Sequence, residues 1–526
     1  MSISVSNHLN KMEKSLLNPK YWVIFLVLCC LSACQTLPDQ TGKSVSHALT
    51  DVRDTHLATI FADEIRKHPD QSGAYPLLTG ADAFIARVKL IQAAEKSLDL
   101  QYYIWHRDRS GKLLTGHLLD AAKRGVRIRV LLDDVGSPVG DENLLLLSKE
   151  PNIEVRLFNP IANRSQRTFS LITDFQRTNR RMHNKSLTAD NTTAIVGGRN
   201  IGDEYFDAGA EIAFADLDVM VVGPVVKDIS TGFDLYWNSE QSYPIQRLSP
   251  RKFSTQEIEK AQSKHTERIS EALQSDSSKR ALELNLLGKD IKWFWGNCKV
   301  FYDSPNKALT TDIDSDELLT SQLNYLFTDV KKEVVLISPY FIPGKQGVAL
   351  FRKWAEQGVD VTIVTNSLAA TDVVAVHSGY AKYRKQLLRA GIKLYEIPTV
   401  RTFPEKPKTA GYIGSSSRAS LHAKAFFIDG SHTFVGSLNI DPRSIKINTE
   451  IGIVFESTEM TTFATTTIKN NLLRDAYKVE LDENNQLVWL QKKQGENIRL
   501  TKEPDATFLR KLTSWFIKLL PIESQL

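Results

Sequence analysis

The sequence predicts an α/β fold written twice: two pseudo-symmetric domains with mixed, largely parallel sheets flanked by helices, and an active site between them. Three observations predict it. Residues 97–134 and 333–366 share one plan: an apolar strand ending in aromatics, a polar loop, an amphipathic helix, a Gly-Val turn and a second apolar strand. A strand-helix-strand unit of this length implies parallel pairing. A further strand follows at the same place in each repeat, at 152–158 and 391–397. Each half then carries the pattern His-x-Lys-x4-Asp, a Gly-rich turn and an Asn.

That last pattern is the most specific signal in the chain. The first copy is His183, Lys185 and Asp190, followed by Gly197-Gly198-Arg199-Asn200. The second is His422, Lys424 and Asp429, followed by Gly436-Ser437-Leu438-Asn439. At ordinary residue frequencies one such triplet is expected roughly 0.04 times by chance in this length. Two copies in register with a repeat therefore mark a duplicated site. Alternation along a strand puts each His and its Lys on one face. The Gly-rich turn lets the Asn backbone approach closely. Asp190 and Asp429 are expected to stabilise the motif's own backbone.

The rest of the chain is organised around these halves, read as 80–245 and 300–457. Residues 246–299 form a connector whose stretch 254–285 is charged and helical by composition. Residues 458–526 hold a helix, a small hairpin near Val488-Trp489-Leu490 and Ile498-Arg499-Leu500, and a last helix. Residues 35–79 are a linker and a short helix. The N-terminus has Lys11, Lys14 and Lys20 before a short apolar run from Tyr21 to Cys30, then Leu-Ser-Ala-Cys34. This is the plan of a secretory signal, with a core too short for a comfortable membrane span. Leu-Ser-Ala-Cys resembles a bacterial lipobox, which implies lipidation of Cys34 and a membrane-anchored, periplasm-facing lipoprotein. Gln35 in place of Asp favours the outer membrane. Only Cys298 lies outside the first 34 residues, so neither a disulfide framework nor a metal spacing is present. Charged residues are 24% of the chain and the net charge is +5, which excludes a strongly basic nucleic-acid binder and suits an anionic substrate.

The paired motifs resemble the phospholipase D superfamily over most of residues 80–520. Gln101-Tyr102-Tyr103-Ile104-Trp105, the stretch Asn179 to Lys185, Val196 to Asp203, and His377-Ser378-Gly379-Tyr380 resemble the bacterial cardiolipin synthase C branch. The resemblance implies transfer of a phosphatidyl group to phosphatidylglycerol through a phosphohistidine. The expected phospholipid substrates are phosphatidylglycerol and, as a further candidate, phosphatidylethanolamine; the sequence leaves the phosphatidyl donor open. His183 is assigned as nucleophile and His422 as acid and base. A neutral-range pKa suits imidazole to both tasks. Lys185, Lys424, Asn200 and Asn439 would hold the phosphoryl oxygens, where preorganised donors are usually the largest catalytic contribution. No cofactor and no metal are expected.

Each imidazole needs an acceptor on its other nitrogen to fix its tautomer. Asp218 and Glu450 both begin an apolar strand after their motif and read as repeat equivalents, where family patterns put such acids. His377 and Tyr380 are carried over as substrate-lining residues. Tyr102, Tyr103, Tyr340 and Phe341 are strand-end aromatics. The tail 508–520 is apolar and basic, suited equally to a membrane interface and to docking on the core. The expected partners are phospholipids and a membrane surface, with no nucleic acid and no obligate protein partner. A hydrolytic phospholipase D shares every catalytic residue, a nuclease of the superfamily would need a basic aromatic groove, and a non-catalytic scaffold predicts a decayed motif.

Overall fold

The computed structural model describes residues 36–208, 212–249, 251–254, 256–257, 291–310, 312–399, 418–493 and 496–526. The leader with Cys34, and most of the stretch read as a helical connector, lie outside the described residues.

The first half contributes β1 (Ser72–Leu77), β2 (Ser97–Tyr102), β3 (Arg127–Asp133), β4 (Ile153–Phe158), β5 (Ser186–Ala189), β6 (Thr193–Gly197), β7 (Ile212–Ala215), β8 (Asp218–Val222) and β9 (Ser242–Pro244). The second contributes β10 (Phe294–Tyr302), β11 (Glu333–Ile337), β12 (Asp360–Asn366), β13 (Lys393–Ile397), β14 (Arg418–Leu421), β15 (Ala425–Ile428), β16 (His432–Gly436), β17 (Ile451–Glu456), β18 (Tyr477–Leu481), β19 (Leu487–Lys493) and β20 (Glu496–Leu500). Within the first half the spatial order is β9-β4-β3-β2-β5-β6-β8-β1. The second half repeats it as β18-β13-β12-β11-β15-β16-β17-β10.

The sheet is mixed, but parallel pairing is confined to β2-β3-β4 and to β11-β12-β13. The other ladders of this sheet are antiparallel. The parallel runs are the strand-helix-strand units legible in the repeat. The antiparallel ladders include the tight hairpins that follow each His-x-Lys motif, β5-β6 and β15-β16, whose short turns can only reverse the chain, and long-range pairings such as β2-β5 and β11-β15.

The halves do not form two separate sheets. Their equivalent edge strands pair, with Ser72, Gly73 and Ala74 of β1 opposite Gly296, Trp295 and Phe294 of β10. This joins eighteen of the described strands into one sheet. The pairing removes two open edges, which would otherwise be templates for aggregation. It also places β10 in the sheet from Phe294, inside the stretch read as connector, and β1 inside the stretch read as linker. A second, two-stranded sheet pairs β7 with β14 in parallel, one strand from each half.

Burial explains the apolar strands. Along β8, Met220 and Val222 face the first half's helices, while Val219 and Val221 face a core shared with the second half. In β17, Ile451, Ile453 and Phe455 enter the same shared core and Val454 faces the second half's helices. Strands buried on both faces must be apolar on both, which is why no alternation shows in them.

Candidate active site

Both motif histidines sit just before a strand. The ladders of β5 and β15 begin at Ser186 and Ala425, so His183, Lys185, His422 and Lys424 lie in the extended approach and not within a strand, as alternation suggested. The reason is that their backbone is paired with the opposite half. The N–H of His183 donates to the Thr449 carbonyl at 2.8 Å, and that of His422 to the Ala215 carbonyl at 2.8 Å. Met182 bridges Thr449, and Leu421 pairs with Ala215 in β14-β7. In each case the residue before a histidine meets the residue before a carboxylate from the other half.

The carboxylates are therefore crossed. Nδ1 of His183 lies 2.8 Å from Glu450 Oε2, and Nδ1 of His422 lies 2.5 Å from Asp216 Oδ2. Glu450 is the residue chosen from sequence. Asp218 is not the acceptor for His422. Register explains the difference. Gly197 pairs with Asp218 in β6-β8, and Gly436 with Gly452 in β16-β17, so the counterpart of Asp218 is Gly452 and the counterpart of Glu450 is Asp216. Asp218 is fully buried against Arg87 at 2.9 Å and Arg199 at 3.5 Å, a structural ion cluster.

The turn residues also differ by task. A Cβ on Gly198 would strike the Asp216 carboxylate, so this glycine is required by close approach. Its counterpart Ser437 instead donates its hydroxyl to Glu450 Oε2 at 2.5 Å. The segment before each histidine is anchored by the last residue of a parallel strand. Asp133 accepts from the Met182 N–H at 2.9 Å, and Asn366 exchanges two bonds with Leu421, both at 2.9 Å.

Lys185 Nζ donates to the His183 carbonyl at 2.5 Å, and Lys424 Nζ lies 3.0 Å from His422 Nδ1. All four side chains are buried. Burial lowers the pKa of His183 well below 6.5, and the charges of Lys185, Lys424 and His422 lower it further. Burial and then Lys424 lower that of His422, while Asp216 opposes them. Burial depresses both lysines, with Glu450 and Asp216 opposing. Burial raises Glu450 to about 7, against the pull of Lys185 and the Ser437 hydroxyl. Asp216 goes the other way: the charge of His422 and its hydrogen bond outweigh burial and hold it well below the carboxylate range.

Among the other residues singled out, Asn200 accepts from the Ile104 N–H and donates to the Tyr205 hydroxyl, so its amide is engaged inside its own half. Asn439 is buried, and its Oδ1 has no partner among the described residues. Asp190 accepts from the N–H groups of Glu95, Lys96 and Ser97, and Asp429 from those of Lys331, Lys332 and Glu333. Each tethers the start of the neighbouring parallel strand, not the motif's own backbone. His377 is fixed by Arg384 at 2.8 Å and packs edge-on against Tyr380; Arg384 also binds Glu396 and Glu503. This is a buried network that ties the β19-β20 segment to the core. His106, Asp108 and Glu204 also lie close together, but Asp108 caps the helix Arg109–Lys123 and His106 already meets Glu204 at 3.2 Å.

Further neighbours complete the site, and of these Tyr205, Phe214, Asp372 and Arg443 were missed from sequence. Tyr103 packs edge-on to His183 with ring centres 5.2 Å apart, and Tyr205 and Phe214 pack on His422 at 5.3 and 4.9 Å. Arg443 lends its charge to the His183 environment, and Asp372 to that of His422 and Lys424. Tyr340 donates to Asp372 at 2.6 Å. Of the four strand-end aromatics, Tyr103 and Tyr340 stand at the site, while Tyr102 and Phe341 are core.

The comparisons with known proteins agree with this geometry. The family model described as cardiolipin synthase, phospholipase D-like domain, matches twice, over residues 88–237 and 325–471. The chain is 41% identical to cardiolipin synthase C of Escherichia coli K12 over 87% of its own length and 97% of that protein. The chain belongs to the phospholipase D superfamily, in its cardiolipin synthase family. It is an enzyme of that superfamily. A protein of Helicobacter pylori strain 26695, described only as uncharacterized, is 32% identical over 95% of this chain and 99% of that one. The crystal structure of a phosphatidylserine synthase from Haemophilus influenzae Rd KW20 superposes with a TM-score of 0.54 at 14% identity, covering 86% of this chain and 95% of that one. It shares the doubled fold of the family. Among the described residues no helix is long and apolar enough to cross a membrane.

Proposed function

We infer that this enzyme is a phosphatidyltransferase that forms cardiolipin, moving a phosphatidyl group onto phosphatidylglycerol. The observation that carries the reading is the crossed pairing. Each imidazole is oriented by a carboxylate from the opposite half, and the two lysines share one buried field with both rings.

The surroundings of the two histidines support giving His183 the nucleophile's role and His422 the acid's. Asp216 stays ionised and opposes the lowering of the His422 pKa by burial and Lys424, which favours His422 as the acid that protonates a leaving alkoxide. His183 is held neutral by burial and neighbouring cations, which suits a nucleophile. In the first step Nε2 of His183 bonds to phosphorus, the bond to the leaving alcohol breaks, and His422 gives that oxygen a proton. In the second, the hydroxyl of the accepting phosphatidylglycerol bonds to phosphorus, the phosphorus–nitrogen bond breaks, and His422 takes the hydroxyl proton. Burial lowers the pKa of both Lys185 and Lys424, and a bound phosphate's negative charge would raise them again, so phosphate binding favours their charged forms. Asn439 adds a hydrogen bond to the same phosphate. The phosphatidyl donor is a bilayer phospholipid, phosphatidylglycerol or phosphatidylethanolamine, and the lipid-anchored, periplasm-facing location read from Cys34 and Gln35 would hold the enzyme at it.

The test is lipid analysis of a bacterial host that lacks its own cardiolipin and expresses either this chain or its His183→Ala form. Cardiolipin formed only with the intact chain is the expected result. Phosphatidic acid without cardiolipin would overturn transfer in favour of hydrolysis.

A further inference from the structure

The helix Phe508–Ile517 is amphipathic in the inverted sense. Phe508, Leu509, Leu512, Trp515, Phe516 and, just past its end, Leu519 are between 47% and 79% exposed. Their spacing of i, i+1, i+4, i+7, i+8 and i+11 puts them on one stripe. The opposite face is the docked one. Ser514 is buried and shares a hydrogen bond with Ser378 at 2.9 Å, and the Arg510 guanidinium donates to the carbonyls of Leu368 and Thr371 at 2.9 and 2.8 Å. A helix fastened by its polar face with its apolar face in water has its large side chains where burial would favour them least. Contiguous exposed apolar surface of this kind marks an interaction site.

Three facts identify the occupant. The helix Phe508–Ile517 carries Arg510 and Lys511 and no acidic residue; Arg510 is spent on the core carbonyls, which leaves Lys511 beside the apolar stripe as the cation that complements an anionic lipid surface. A Trp and Phe beside a cation are the side chains that settle at a headgroup boundary. The segment also borders the catalytic centre at both ends. Arg510 holds the loop that carries Asp372, whose charge acts on His422, and the Leu526 carbonyl accepts from Arg443, whose charge acts on His183.

We propose that the C-terminal helix docks the enzyme on an anionic bilayer, sinking the Leu512, Trp515 and Phe516 side chains into the headgroup boundary and setting the catalytic cleft against its substrate. The proposal rests on the lipid reading above. It assigns a helix bonded to the core to the surface, distinct from any anchor at the leader.

The full chain carries its own apolar leader, so capture by vesicles alone is not the readout. The first measurement uses mixed phosphatidylglycerol and phosphatidylcholine vesicles with brominated acyl chains, which quench tryptophan only at close range. The intact chain should show a quenched component that Trp515→Phe lacks. The second compares the intact chain with the triple variant L512S/W515S/F516S, whose sites are exposed and outside the catalytic machinery. Turnover on bilayer phosphatidylglycerol should fall about tenfold or more, and turnover of monomeric short-chain phosphatidylglycerol should not change. Equal quenching in Trp515→Phe, or normal bilayer turnover in the triple variant, would overturn the docking. So would a dimer of the intact chain that the triple variant dissolves without any quenching, because a second copy would then cover the face. If the intact chain turned over neither lipid, the catalytic reading would fail, and the quenching would still decide the docking.

Discussion

An imidazole attacks only through a nitrogen with a free lone pair, so the state of its carboxylate partner decides when His183 is reactive. Burial raises Glu450 to about 7. Below that pH the protonated carboxyl donates to Nδ1 and leaves the ring proton on Nε2, the nitrogen that must attack. Above it Nδ1–H donates to the carboxylate and Nε2 is free. Turnover, as kcat/KM, should therefore rise as pH climbs through about 7. The linked stability runs the opposite way. The folded pKa of Glu450 exceeds its ordinary 4.5, so its stabilising contribution is full below about 4.5 and is lost as pH rises through about 7. Asp216 is depressed instead, so its contribution is present above 3.8 and is lost only in stronger acid. It cannot produce a limb near neutrality. Asp303 and Asp441 are also raised by burial, to about 6, so the assignment needs a variant. Glu450→Gln keeps an acceptor for Nδ1–H at every pH, and its profile should lose the limb near 7 and level off at a lower rate. A profile that kept the limb would take the titration away from Glu450.

At the scale of elements, one register decides which acid is catalytic. His183, Lys185, His422 and Lys424 were legible because a doubled motif with fixed internal spacing survives any rearrangement around it. The parallel strands were legible because their helices and apolar runs lie within one short segment. Asp216 was not, because strand β8 looks as though its functional residue should be the first one, Asp218. The ladder shows otherwise: Gly197 opposite Asp218 matches Gly436 opposite Gly452, which moves the counterpart of Glu450 two residues back, before the strand begins. Counting residues from each histidine could not reveal this, since the intervals differ, 33 to Asp216 and 28 to Glu450. The two acids should therefore separate by phenotype. Asp216→Asn removes the charge beside His422 at constant shape and should lower kcat by about a hundredfold or more, together with the stability that its depressed pKa contributes above pH 3.8. Asp218→Asn leaves Arg87 without its buried counter-charge and should lower stability by about 3–5 kcal/mol, with turnover per folded molecule nearly intact. Urea unfolding and steady-state rates on the same preparations would show it. Equal kcat losses with equal stability losses would mean the register argument does not describe the active enzyme.

At the scale of the whole molecule, the duplication is a device for making one site from two weak parts. Neither half holds a complete His-carboxylate pair, because each acid crosses to the other half's imidazole. The crossing is enforced far from the chemistry, by β1 against β10, by β7 against β14, by the Met182–Thr449 bridge, and by an apolar core to which both halves contribute. The repeat announced two domains, but it could not announce this crossing, since long-range pairing leaves no trace in local periodicity. The arrangement also fixes what can be exchanged between molecules. Separating the halves would strip a core of Val, Ile and Phe side chains into water at roughly 25 cal/mol per Å² of apolar surface. Halves from different chains should therefore not trade places in the folded enzyme. Folded His183→Ala and His422→Ala chains, mixed in equal amounts, should stay as inactive as each is alone, although every mixture contains both imidazoles. Turnover that appeared on mixing, growing with time and concentration, would show that a site can be assembled from two chains and that the shared core is open to exchange.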